Sequence, residues 1–529
     1  MANLLSRRRF LRASSAVAAA ALAASTVRCR RAPQAPAILT SGRPLMEQGI
    51  ASGDVTATSA IIWSRCDRPA QMLVEWSTTE SFAELTRIVG PAAVPQTGLT
   101  ARLDLRGLPP GQRIFYRVRF LDLADTRIES VPLTGTFRTA PLSTGRNVRF
   151  AWSGDTVGQG WGINPEFGGL RMYRTIRDKA PDFFIHSGDT IYADIPLYER
   201  VTLDDGTIWR NIVTPAKSNV AQTLDEFRGN YLYNLLDDNL RLFNASIPTV
   251  AQWDDHEVRN NWYPGQVLND LRYQERNVDV LAARARQAFL EHMPNRIDPA
   301  DPTRIYRSLA FGPLLDVFVI DQRSYRGPNS NNRQPVMSPA TDFLGQRQLQ
   351  WLKDGLAKST ALWKVIAADM PLGLICRDGP ETFENAANGD GPPLGRELEM
   401  ADLLSFLKAR RIRNVVFVTA DVHYATSLHF HPDRAVFKDF DPFWEFVSGP
   451  MHAGSYGPAE LDPTFGPQVL FKAHPPAGRG GAGPAEGYQY FGLVEIDAAS
   501  GVMTVRQHDL AGLELYRIDI QPVRPAWGA

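Results

Sequence analysis

Five apolar runs in this chain each stop at an aspartate. Phe150-Ala-Trp-Ser-Gly ends at Asp155, and Phe184-Ile-His-Ser-Gly ends at Asp189. Val250-Ala-Gln-Trp ends at Asp254-Asp255-His256, Val365-Ile-Ala-Ala at Asp369, and Val416-Phe-Val-Thr-Ala at Asp421, with His423 two residues on. One aspartate at a strand end is ordinary, because it can cap the next helix. Five at the carboxyl ends of buried strands converge on one rim, where open α/β sheets hold their ligands. So many carboxylates cannot share a pocket as bare anions, since repulsion and lost hydration cost too much. A cluster of cations resolves the conflict. Asp, His and Tyr donors without a thiolate suit Fe³⁺, Mn²⁺, Zn²⁺ or Ca²⁺, and two such ions can lower the pKa of a shared water and drive hydrolysis.

The elements that must position these residues follow from hydrophobic period. Val148–Trp152, Phe183–His186, Ile247–Trp253, Leu314–Ile320, Val365–Ala368 and Val415–Thr419 are apolar throughout, as strands covered on both faces are. Polar stretches of helical period lie between them, at Gln222–Asn244, Val278–His292 and Glu397–Arg410, so an α/β arrangement is expected. Phe491–Ile496 and Val502–Gln507 read as a late hairpin adding antiparallel edge strands. From Met46 to Ala140 the pattern is all-β. Short strands at Ala60–Ser64, Gln71–Trp76, Leu103–Leu105 and Ile114–Phe120, with the turn Gly107-Leu-Pro-Pro-Gly111, predict a fibronectin III or immunoglobulin-like β-sandwich.

Gly154-Asp155, Gly188-Asp189-Thr-Ile-Tyr192-Ala-Asp194, Asp254-Asp255-His256-Glu257 and Asp421-Val-His423 resemble, in order, the metal-ligand blocks of the calcineurin-like metallophosphoesterases. Within that superfamily the IHSGDTIYAD, WDDHEVRNNW, DQRSYR and TADVHYA stretches are similar to PhoD-like alkaline phosphatases and phosphodiesterases. The resemblance implies a four-layer α/β/β/α catalytic domain over 147–520 behind a β-sandwich over 46–142. It also implies hydrolysis of phosphate monoesters or diesters by a metal-bridging hydroxide, and two or more metal ions, Fe³⁺ and Ca²⁺ by family, Mn²⁺ or Zn²⁺ as alternatives. Asp189 takes the place of the bridging carboxylate; Asp155, Tyr192 and His423 complete the first site; Asp255, Asp421 and Asp369 serve the second. His256 matches the histidine that contacts phosphate and protonates the leaving group. Arg259 and Arg323 are candidate phosphate clamps, and Asn260 and Asn261 candidate amide ligands. Where the family carries Ser-Cys-Gln after the first strand, this chain has Ser153-Gly154-Asp155, so Asp155 replaces the thiolate, as in purple acid phosphatases.

Each assignment has a structural alternative: a helix cap for Asp189, a hydrogen-bond donor for Tyr192, a packed ring for His423, surface ion pairs for Arg259 and Arg323. Thr156 and Thr190 each merely follow a ligand aspartate and are discounted as nucleophiles. The contrasting function is a non-catalytic exported binding protein; the intact ligand set argues against it.

Lys+Arg and Asp+Glu both total 57, so no global field recruits nucleic acid or an anionic membrane, and any anion must be held locally. Ser6-Arg7-Arg8-Arg9-Phe10-Leu11 before an alanine-rich run ending near Ala24 resembles a twin-arginine export signal over residues 1–30, followed by a flexible leader at 31–45. The expectation is an exported, periplasmic or secreted monomer that meets the twin-arginine translocase and has no membrane span. Cys29 sits in a poor lipoprotein box, and Cys66 and Cys376 are either one disulfide or two free thiols.

Overall fold

The structure, a computed structural model, describes residues 42–524, so Arg7, Arg8, Cys29 and most of the leader lie outside the described residues. Every apolar run is a strand: Val148–Ser153, Phe183–Ser187, Thr249–Gln252, Leu315–Val319, Trp363–Ala367 and Val415–Thr419. The first three lie parallel in a nine-stranded sheet, and the last three lie parallel in a seven-stranded one. The aspartates therefore end strands of two sheets.

Successive side chains of a strand point to opposite faces, and this places the layers. Phe150, Trp152, Ile185 and Val250 of one sheet share a buried cluster with Val317, Val365, Val416 and Val418 of the other. The outward-facing Ala151 and Phe184 pack against Met172 and Ile176 of helix Arg171–Asp178 and Phe243 of helix Asp238–Ser246. On the far side Phe318, Ile366 and Phe417 meet Leu352 of helix Gln346–Lys358 and Leu403 of helix Glu397–Ala409. The result is an α/β/β/α sandwich whose strands are apolar on both faces because both faces are covered. Trp152 Nε1 donates across the sheets to the Thr419 carbonyl at 3.2 Å.

The stretch Gln222–Asn244 forms two helices, Leu224–Asn234 and Asp238–Ser246. They part at Asp237, whose side chain accepts from the Leu240 N–H. The late hairpin is present as Tyr490–Ile496 and Met503–Asp509, its first strand antiparallel to Val148–Ser153, with a further strand, Glu514–Ile520, outside it. Toward the N-terminus, Thr86–Ala93, Ala70–Ser77, Arg113–Asp122 and Leu133–Arg138 form a four-stranded sheet. It packs through Val74, Val118 and Phe120 onto Ile62 and Leu105. The strands carrying Ile62 and Leu105 belong to the nine-stranded sheet, which they join through Ile50–Gly53, parallel to Thr249–Gln252. Only glycine fits at that seam, since a Cβ on Gly53 would lie 2.5 Å from the carbonyl oxygens of Thr249 and Pro294. Cys66 lies in this sandwich core and Cys376 beside Asp421, both as free thiols. Among the described residues no helix is long and apolar enough to cross a membrane.

Candidate active site

The strand ends meet where the two sheets finish, and the backbone there turns sharply. Asp155, Asp189, Asp421 and His423 have φ of 66°, 51°, 65° and 58°. That left-handed conformation is costly for residues with a Cβ, and it persists where surrounding structure over-determines it. Gly154 and Gly188 supply the close approach just before two of them. A Cβ on Gly154 would lie 2.8 Å from Ala420 Cβ, and one on Gly188 would strike Asp254.

Ligand atoms of Asp155, Asp189 and His423 lie within 4.8 Å of one another, and so do those of Asp189, Asp255 and His256. Asp189 is common to both groups, the position a bridging carboxylate needs. All five residues are buried. Neither carboxylate oxygen of Asp155 has a hydrogen-bond partner. Burial first, and then the nearby Asp254, hold the Asp155 and Asp189 carboxyls well above the usual range. A buried, unpartnered carboxylate beside two more is what a bound cation would relieve, so the residues present fit a metal.

The first group is prepared for one by its histidine. His423 Nδ1 lies 2.5 Å from the Gly454 carbonyl and donates to it, leaving Nε2 with its lone pair facing inward. Burial keeps the ring neutral, its pKa lowered to about 4. Tyr192 is fully buried and its hydroxyl lies 2.8 Å from His423 Nε2. In the second group His256 Nδ1 pairs with Asp194 Oδ1 at 2.7 Å, and Nε2 lies 3.9 Å from Asp255. Burial works against charge on this ring, yet Asp194 and Asp255 overcome it and raise its pKa to about 9. Asp194 Oδ2 also accepts the Asn260 N–H at 2.8 Å, tying the two loops together.

Arg323 is placed differently from the phosphate clamp that the sequence suggested. Its guanidinium is fully buried, 2.5 Å from Asp254 and 2.5 Å from Glu384, with Asp369 at 3.3 Å and Asp421 at 3.5 Å. Asp369 and Asp421 thus face an arginine and lie outside the two close groups. Arg259 is the contrasting cation, half-buried, with no ion pair among the described residues and with its Nε lacking a hydrogen-bond partner there. The Asn261 side chain donates to Asp378 at 2.8 Å while its backbone N–H donates to Asp255 Oδ2 at 2.5 Å. Thr156 and Thr190 hydroxyls are engaged elsewhere, with Tyr173 and His186 and with Glu257 respectively.

Three residues of the site went unassigned in the sequence. Glu257 accepts from the N–H groups of Asp189, Thr190 and Asp254, which pins the two ligand loops to each other. It closes the Asp-Asp-His-Glu block, so a signal existed; Asp194 likewise ends Tyr-Ala-Asp. Glu384 comes from an irregular loop with no pattern to mark it.

The architecture and the sequence both have relatives. Alkaline phosphatase D of Bacillus subtilis (strain 168) is 28% identical over 484 residues, covering 86% of this chain and 77% of that protein. The solved structure of PhoD matches with a TM-score of 0.63 at 21% identity, covering 94% of this chain and 95% of that one. A purple acid phosphatase from yellow lupin (Lupinus luteus) seeds matches at 0.57 with 13% identity, covering 90% and 74%. These two share the fold. The profile of the PhoD-like phosphatase matches residues 150–507, and that of the PhoD-like phosphatase N-terminal domain matches 32–141. With more than half of its length inside the first of these, this chain belongs to the PhoD-like phosphatase family and is a phosphoric ester hydrolase.

Proposed function

We propose that the chain hydrolyses phosphate monoesters or diesters at two cations held between the sheets, and that it does so after export by its twin-arginine segment. The observation that carries this reading is Asp189, shared by two groups of potential ligands, with the orphaned Asp155 carboxylate beside it. Asp155, Asp189, Tyr192 and His423 would hold one ion, Asp189 and Asp255 the other. Bound there, such ions supply Lewis acidity, lowering the pKa of water and neutralising phosphoryl oxygens. Fe³⁺ at the tyrosine-bearing position and Ca²⁺, Mn²⁺ or Zn²⁺ at the other agree with the donor types.

The chain's own residues do the rest. His256, charged and steered by Asp194, faces the shared carboxylate and is placed to give its Nε2 proton to the leaving alkoxide. Arg259, without an ion pair among the described residues, is the cation assigned to fork onto phosphate oxygens. The guanidinium of Arg323 serves the carboxylates, cancelling charge that would otherwise accumulate beneath the site. Asp369 and Asp421 are assigned here as partners of that guanidinium.

The test is p-nitrophenyl phosphate hydrolysis by protein stripped with chelator and reloaded with single metals, with Asp189→Asn beside wild type. Stripping should abolish turnover and Asp189→Asn should lower kcat by about a thousandfold or more, as loss of a ligand to both ions demands. A variant keeping more than about a tenth of the wild-type rate would remove the bridging role.

A further inference from the structure

The irregular loop that carries Glu384 reaches the site a second time through Asp378. The backbone of Asp378 closes a turn, its N–H donating to the Thr382 carbonyl at 2.9 Å. The side chain leaves that turn and grips two other loops. Oδ1 accepts from Asn261 Nδ2 and Oδ2 from Asn329 Nδ2, both at 2.8 Å. The direction of each bond is forced. A guanidinium can only donate, so Arg326 and Arg396, the latter at 3.3 Å, fix Asn329 Oδ1 as the acceptor and turn its NH2 toward Asp378. That NH2 also donates to the Asn261 carbonyl at 3.0 Å.

Asn261 is thus held by its side chain and its carbonyl, and its remaining group, the N–H, donates to Asp255 Oδ2 at 2.5 Å. The backbone that aims this N–H is left-handed, with φ 57°, a conformation few residues other than glycine adopt unsupported. Asp255 Oδ1, the oxygen left over, is the one that lies 3.9 Å from His256 Nε2. We infer that Asp378 is a positioning residue: acting through Asn261, it fixes which Asp255 oxygen is free for the second cation. This role rests on the two-cation reading of the proposed function. It also explains why a carboxylate stands at 378, since asparagine there would offer one acceptor oxygen where two amides need one each.

The test uses full-length protein stripped with chelator and dialysed against a series of Mn²⁺ concentrations, the bound ion being counted by elemental analysis. Wild type should take up two ions. Asp378→Ala should weaken one of the two steps about tenfold or more, the loss expected when the support of a ligand is removed, and leave the other nearly unchanged. Asp378→Asn, isosteric but with a single acceptor oxygen, should fall between, and it replaces the alanine variant should that one not fold. Asn261→Gly keeps the N–H and suits a positive φ. Adding Asp378→Ala to it should therefore weaken binding far less than the same change does in wild type, because the link is already cut. Asp378 variants that bind both ions as tightly as wild type would overturn the role. So would an effect of Asp378→Ala that is equal with and without the Asn261 side chain, the mark of a merely structural loss. Wild type that takes up no Mn²⁺ would overturn the two-cation reading itself, and the role with it, before any variant is compared.

Discussion

Replacing Arg323 with Met separates two readings of that residue more cleanly than any loss of activity could. In the structure its guanidinium touches Asp254, Glu384, Asp369 and Asp421 and is fully buried. Breaking a buried pair from one side leaves an uncompensated charge, which costs about 3–5 kcal/mol. Unfolding entropy of ~2.1 cal/mol/K per residue, over about 480 ordered residues, comes to about 1 kcal/mol/K. The predicted fall in Tm is therefore about 3–5 °C, read by calorimetry on metal-free protein at a pH where the carboxylates ionise. Adding Asp254→Asn to the Met variant should restore part of that loss, because the two share one network and their effects cannot add. Had Arg323 been a phosphate clamp, the same substitution would raise KM and spare stability. A melting point within about 1 °C of wild type, with KM for p-nitrophenyl phosphate raised tenfold or more, would refute the carboxylate-cage reading.

Arg259→Met should show the opposite pattern, with KM raised about tenfold and Tm unmoved, since no ion pair among the described residues is lost; steady-state kinetics beside a thermal melt decides it. Tyr192→Phe should bleach any visible band of the iron-loaded protein and weaken metal retention measured by elemental analysis. A colourless wild type, fully active with divalent ions alone, would reduce Tyr192 to the donor that its 2.8 Å contact with His423 already makes it. Arg7→Lys with Arg8→Lys should leave active enzyme in the cytoplasm, and fractionation that finds the variant exported normally would sink the twin-arginine reading.

The strands and their terminal aspartates were legible because two covered faces force uninterrupted apolar runs, and Val148–Ser153 or Val415–Thr419 can hardly be anything else. Helix Val278–His292 was legible to the residue from its period. Helix Gln346–Lys358 carries the same period in Leu349, Leu352 and Leu356 but starts from Gly345 without a capping side chain, so its beginning is unmarked. What the chain order conceals is the pairing between distant loops. Arg323 reads as a free cation next to Tyr325 and Arg326, and only the fold brings Glu384 and Asp254 to it. The seam at Gly53 is hidden for the same reason. Its partner Thr249 lies almost two hundred residues on, so the sandwich strands look like a separate unit although they extend the catalytic sheet.

The site is assembled at a cost to the unloaded fold. Four residues in left-handed backbone, each strained on the order of 1 kcal/mol, surround carboxylates that burial pushes toward protonation. A bound cation would offset both terms, since the Asp155 oxygens have no hydrogen-bond partner and could serve it as ligands. Arg323 offsets only the lower tier of this charge, because its four contacts are to Asp254, Asp369, Asp421 and Glu384 and none is to Asp155 or Asp189. The division is physical. A fixed guanidinium neutralises Asp254, Asp369, Asp421 and Glu384, and on the proposed function the bound ions would neutralise Asp155 and Asp189. On the proposed function, ions bound there would stabilise the folded chain as well as act on substrate.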